Sequence, residues 1–300
     1  MRYGQGVALC LAAGSLWSLM GLGLRQIEEA SVWAILFWRS VGMVPVLLAF
    51  IWWKSRGRPL TAIRAVGVPG ALGGFGLVFA FAGAIYAFQT TTVANAVLLF
   101  AASPFVAAVL GWVFLREAVR PATWVGIGLA VIGMYMMVRE GLETGAILGN
   151  LAALMSAFGF GAFSVALRWG RVGDMLPAAF LGSAFSVVVA GAVLLALGEP
   201  IMVLPWDIGV AMAIGAIVVA MGMVMFTLGS TVVPAAELTL LSLVEVLLGP
   251  IWVWLALGET ASRGTLTGGA VLLAGVVVNA LAGMGGSSQG VAKPRGSVKE

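Results

Sequence analysis

Residues 236–259, "AELTLLSLVEVLLGPIWVWLALGE", form an apolar run long enough to cross a bilayer, since about 20 helical residues match the hydrocarbon core. One residue is out of place. Glu245 sits near the middle, where an ionisable group costs about 2.5–3.5 kcal/mol on insertion scales, so its presence predicts a partner or a function. A second stretch, "ANAVLLFAASPFVAAVLGWVFLRE" at 94–117, falls on the first when the chain is shifted by 142 residues. Nine of forty positions across 94–133 are then identical, among them Trp112/Trp254, Glu117/Glu259, Gly126/Gly268 and Gly133/Gly275. A shift of 143 lays Gly14, Trp17, Ser18, Gly21 and Arg25 on Ala157, Phe160, Gly161, Ser164 and Arg168.

The rest of the chain has the same solvent. It is 61% hydrophobic and 9% charged, against roughly 25% charged residues in a soluble domain, which predicts an all-α integral membrane protein. There is no histidine, which removes histidine bases, Ser-His dyads and histidine metal sites. A single cysteine, Cys10, cannot close a disulfide and reads as a small packing residue. The net charge of +4 is scattered among apolar segments, with no basic stripe for nucleic acid. No cofactor is implied. The apolar run over Gly6–Leu24 exceeds a signal-peptide core and reads as a retained span.

Ten spans are predicted, near 4–24, 32–53, 66–88, 92–115, 121–138, 146–167, 176–197, 207–229, 234–257 and 264–283. Turn and cap chemistry separates them, as in "KSRGRP" at 54–59, "REAVRP" at 116–121, "GEP" at 198–200 and Ser262. With a cytoplasmic N-terminus, twelve Lys and Arg face inward and only Arg25, Arg139 and Arg263 outward. The positive-inside rule therefore places both termini in the cytoplasm. Five spans per repeat is an odd number, so the second repeat enters the membrane inverted. The expected units are a first repeat, 1–143, a second, 144–284, and a disordered cytoplasmic tail, 285–300.

Ten spans, a five-plus-five repeat and "Leu-x-Glu" closing the fourth and ninth spans ("FLREAV" and "LALGETA") resemble the drug/metabolite transporter superfamily. Within it the chain is similar to the ten-helix exporters of amino acids and related metabolites. That resemblance implies a multi-pass protein of the bacterial cytoplasmic membrane, working on a small-molecule substrate by alternating access. Proline in both fourth spans belongs to the family pattern. Ser103-Pro104 keeps it, whereas Val246 follows Glu245 and Pro250 comes a turn later.

The repeat register puts Glu245 on Ser103 and Glu237 on Asn95, which predicts a shared polar layer. Ser242 shares the Glu245 face and Phe100 the Ser103 face, while Trp17 and Ser18 share one face of span one and Phe160 and Ser164 one face of span six. Span three adds Phe75, Phe79 and Tyr86. Close glycines also fit simple helix packing, and aromatic rows also fit lipid or core. Arg39, inside span two, either snorkels outward or faces the same cavity as Glu245. In the second case the pair suits a zwitterion, Glu245 toward an ammonium and Arg39 toward a carboxylate. The candidate substrate-binding residues are therefore Glu245, Arg39, Ser103, Trp17, Phe79, Tyr86, Phe100, Phe160, Ser164, Ser242 and Asn95. Glu117 and Glu259, at span ends, are either solvated charges or gate elements. The absence of a G-x-x-x-x-G-K-[ST] loop gives no sign of ATP as driving force. An intramembrane enzyme is the competing class; Glu237 and Glu245 lie about 12 Å apart along the helix, too far for a carboxylate dyad. A passive channel would show rings of repeated charge.

Overall fold

A computed structural model describes residues 1–287, apart from the side chains of 140–144, 235, 236, 239 and 283–287. Ten of its helices are long and apolar enough to cross a membrane. Spans one to three are Tyr3–Leu24, Val32–Lys54 and Gly67–Thr90, with a short helix Pro59–Ala65 before the third. Span four is broken into Val93–Phe100 and Ser103–Leu115, and span five is Pro121–Thr144. Spans six and seven are Ile147–Trp169 and Leu176–Leu197. Span eight runs as α-helix Pro205–Ala213, π-helix Ile214–Met221 and α-helix Gly222–Gly229. Span nine is Ala235–Leu257, and span ten, Arg263–Ser287, continues past the expected boundary at 284. The remainder of the expected tail, with Lys293, Arg295 and Lys299, lies outside the described residues.

Local chemistry sets the ends. Ser31 and Thr92 accept from the backbone N–H three residues on, Ala34 and Asn95, at 3.4 and 3.2 Å, as N-caps do. Proline opens spans five and eight, where a missing N–H is harmless. Span nine closes on Gly258 in the left-handed region (φ 69°), and the position equivalent by the repeat register, Arg116, closes span four there as well (φ 55°).

Packing follows the small residues. Without a hydrophobic drive between helices in lipid, close backbone approach carries association. The tightest seams join spans three and six, spans five and ten, spans two and seven, and spans one and nine. On the five–ten seam a Cβ on Gly126 would meet the Gly275 carbonyl oxygen at 3.0 Å and one on Gly268 the Gly133 carbonyl at 2.7 Å. The glycines that the register equates thus pack crosswise. The run "GALGGFG" at 70–76, a candidate bending point, lies inside an uninterrupted helix, where Gly73, Gly74 and Gly76 accept the backbones of spans six and seven. It is a packing surface.

Candidate functional site

Span nine presents Glu245 to span one. A Cβ on Gly14 would stand at ordinary contact distance, 3.6 Å, from the Glu245 backbone nitrogen and the Leu241 carbonyl, so spans one and nine pack against each other at the depth of the carboxylate. The Glu245 side chain is half-buried and has neither a hydrogen bond nor an ion pair among the described residues. Two turns further along span nine, the Trp252 indole N–H donates to Ser18 Oγ at 2.9 Å, and Ser18 Oγ donates to the Ser15 carbonyl at 2.7 Å. Trp17 turns the other way. Its indole N–H reaches the Val219 carbonyl in the π-helical part of span eight at 3.4 Å, and its ring lies 5.4 Å from Phe226. Span one is thereby held between spans eight and nine.

Arg39 is 1% exposed, with its guanidinium 4.2 Å from the centre of the Phe81 ring. Its Nε and one terminal nitrogen, like the hydroxyl of the adjoining Ser40, are buried without a hydrogen-bond partner. Span eight presses on the Arg39 backbone at Gly215, within the π-helix, and on Gly42 through Met212. A lone buried cation is costly unless something anionic meets it. Arg39 and Glu245 form no ion pair with each other. The first is buried among spans two, three and eight, and the second sits on the one–nine seam.

The remaining candidates separate into three places. Ser103, half-buried, begins the second half of span four, directly after the break at Ala101 and Ala102. The backbone stays satisfied there: Ala101 and Ala102 donate to the Val97 and Leu99 carbonyls, and the Ala102 carbonyl accepts from Phe105 and Val106. An irregular stretch at membrane depth requires this. Phe100 packs edge-on against Phe88 at 5.4 Å, and Tyr86 is half-buried nearby on span three. Phe79 and Phe160 are exposed, paired with Phe75 and Phe163 at 5.4 and 5.9 Å, and Ser164 is half-buried. Ser242 is half-buried on the Glu245 helix.

Asn95 belongs to a buried polar cluster. Its amide donates to Thr91 Oγ1 at 3.2 Å and to Asn150 Oδ1, and its own oxygen accepts from Thr265 at 3.3 Å. The cluster borders a cavity of about 480 Å³ lined by Arg25, Gln89, Thr91, Asn95, Glu259 and Thr265, at the end of the bundle expected to face outward. Glu245 does not line it. Glu237, at the opposite end, accepts from the Tyr3 hydroxyl.

Two participants carried no readable signal. Asp207, fully buried at the start of span eight, accepts the backbone N–H groups of Glu28, Glu29 and Ala30 at 2.9–3.1 Å and ties down the first linker. Asn150 is equally buried, with its amide nitrogen unpartnered. An acid beside a loop and an amide near a span end look solvated in the sequence, and only the packing shows otherwise.

A solved structure described only as "Crystal structure of protein" superposes with a TM-score of 0.64 at 20% identity, covering 94% of this chain and 99% of the other, a likeness of fold. Among curated proteins there is no match. The family model described as EamA-like transporter family matches residues 4–139. The match falls on the first five of the ten apolar helices and covers less than half of the chain, so it is a similarity of that segment to the transporter family.

Proposed function

We propose that this protein is a secondary transporter that moves amino acids or similar small zwitterionic metabolites outward across the bacterial cytoplasmic membrane. It works by alternating access between repeats 1–143 and 144–284. The observation that carries the reading is the unpaired Glu245 carboxylate on the one–nine seam, at a depth where no snorkelling reaches water. The match of residues 4–139 to a transporter family model supports the class, and the buried Arg39, without an acid partner among the described residues, supplies the second charge that a zwitterion needs. Glu245 faces the substrate ammonium and Arg39 its carboxylate, with Phe79, Phe100 and Phe160 as apolar surface for the side chain. Export, and amino acids as cargo, rest on the resemblance to bacterial exporters such as YddG.

The test is counterflow in proteoliposomes with a panel of labelled amino acids. Glu245→Gln is expected to lower flux at least about tenfold, the effect of removing a charge-assisted contact worth about 1.5 kcal/mol or more. Wild-type rates for both Glu245→Gln and Arg39→Ala would end the zwitterion reading. Imposing and then collapsing a pH gradient distinguishes a proton-coupled carrier, whose wild-type flux follows the gradient, from a facilitator using Glu245 as a fixed counter-charge.

A further inference from the structure

Among the described residues three ion pairs join the two repeats near the ends of the bundle, Lys54–Asp174 and two that are related to each other by the repeat. Arg25, after span one, meets Glu259, after span nine, at 2.9 Å. Arg168, in the last turn of span six, meets Glu117, after span four, at 2.8 Å. The repeat shifts equate Arg25 with Arg168 and Glu117 with Glu259, so each arginine has chosen the glutamate of the other repeat. One pair sits at the end with the one–two and nine–ten linkers, the other at the end with the four–five and six–seven linkers.

The two ends are not equally fastened. The Arg25 Nε also donates to Glu259 at 3.0 Å, its NH2 donates to the Thr91 carbonyl at 2.9 Å, and the second Glu259 oxygen accepts the Val93 N–H at 2.6 Å. That end therefore draws in the three–four linker as well, and its pair is the more sheltered, 26% and 19% exposed. The Arg168–Glu117 pair is 44% and 39% exposed and adds one bond, from Arg168 to the Ala107 carbonyl at 2.8 Å. It lies across Gly111, where a Cβ would stand 2.6 Å from the Glu117 oxygen and 2.9 Å from an Arg168 nitrogen. Val253 holds the equivalent position in the other repeat.

From this crossed arrangement we infer that Arg25–Glu259 and Arg168–Glu117 are the two gate latches of the transport cycle, each bridging the repeats at one end and released when that end opens. The inference rests on the transporter reading above. Physical economy favours it: a partly exposed ion pair is screened and weak, so it can be broken and remade in every turnover, whereas a dry, buried pair would hold one end shut. The difference in fastening makes Arg25–Glu259 the more firmly held of the two pairs.

Spin-label distances in nanodiscs test the latches without knowledge of the substrate. In a Cys10→Ala background, one label pair at Gln26 and Thr260 reads the Glu259 end and another at Ala118 and Gly170 reads the Glu117 end. Glu259→Gln is expected to raise the long-distance population at its own end by about two- to fivefold, the shift a partly screened ion pair produces, and to leave the other end unchanged. Glu117→Gln does the converse. Gly111→Ala, which removes no charge, reproduces Glu117→Gln. Distance distributions unchanged in all three variants, or changed equally at both ends, would overturn the latches. Latches that respond in a protein that moves no amino acid in the counterflow panel would uphold this inference and end the amino-acid reading instead.

Discussion

Arg39 is a cation without an acid partner among the described residues. Its guanidinium has Phe81 on one face and two nitrogens with no acceptor, an arrangement that destabilises the empty protein, because a desolvated charge is recovered only by a well-placed counter-charge. Stability and function should therefore separate here. Arg39→Met fills similar volume without the charge, and its melting temperature in detergent is expected to equal or exceed that of the wild type, by analogy with buried ion groups whose apolar replacement is neutral or stabilising by about 1–4 kcal/mol. Its amino-acid flux should be lost. A variant that melts lower and still transports would make Arg39 a structural residue. Both charges were legible in the sequence, since an acid near the middle of one apolar span and a base inside another stand out. Their surroundings were not, because the direction a side chain takes from a helix uniformly apolar on every face is decided by neighbours far away in the chain.

At the scale of the element, the span positions could be read almost residue by residue, because a run of about 20 apolar residues has one physical use. The interruption in span four was signalled by Pro104, which falls at the start of the second half-helix. The π-helix in span eight was not, as "IGAIVVAM" contains nothing that departs from α-helical chemistry. It lies where Gly215 meets the Arg39 backbone and Val219 receives Trp17, so the local winding answers to tertiary contacts. Helix ends give a sharper prediction. Gly258 and Arg116 close equivalent spans in the same left-handed conformation, but only glycine adopts it freely. Arg116→Gly is expected to raise stability by about 1 kcal/mol, the cost of a left-handed non-glycine residue, read as a higher melting temperature with flux unchanged. A lower melting temperature would mean that the Arg116 side chain is worth more than its strain.

Across the whole molecule, the polar contacts made by linkers and span ends sort by end, which bears on the topology. Lys54 meets Asp174 at 2.7 Å, Arg168 meets Glu117, and Tyr3 meets Glu237; all of these belong to the N-terminus or to linkers after even-numbered spans. Arg25 with Glu259, Ser31 with Glu199 and Asp207 with the Glu28–Ala30 backbone belong to linkers after odd-numbered spans. The helices therefore alternate through a slab with two consistent faces, and the remaining question is which face meets the cytoplasm. The Lys and Arg bias predicts that the second linker faces the cytoplasm, because a cationic linker resists translocation while an acidic one does not: Lys54, Arg56, Arg58 and Arg64 crowd the second linker, whereas the first carries Glu28 and Glu29 beside its single Arg25. In a Cys10→Ala background, a cysteine at Arg56 should be reached by a membrane-impermeant maleimide only after the cells are opened, and one at Glu28 in intact spheroplasts. The opposite pattern would reverse the molecule in the membrane. It would then place the Arg25–Glu259 pair at the cytoplasmic end and reverse the direction of the proposed export.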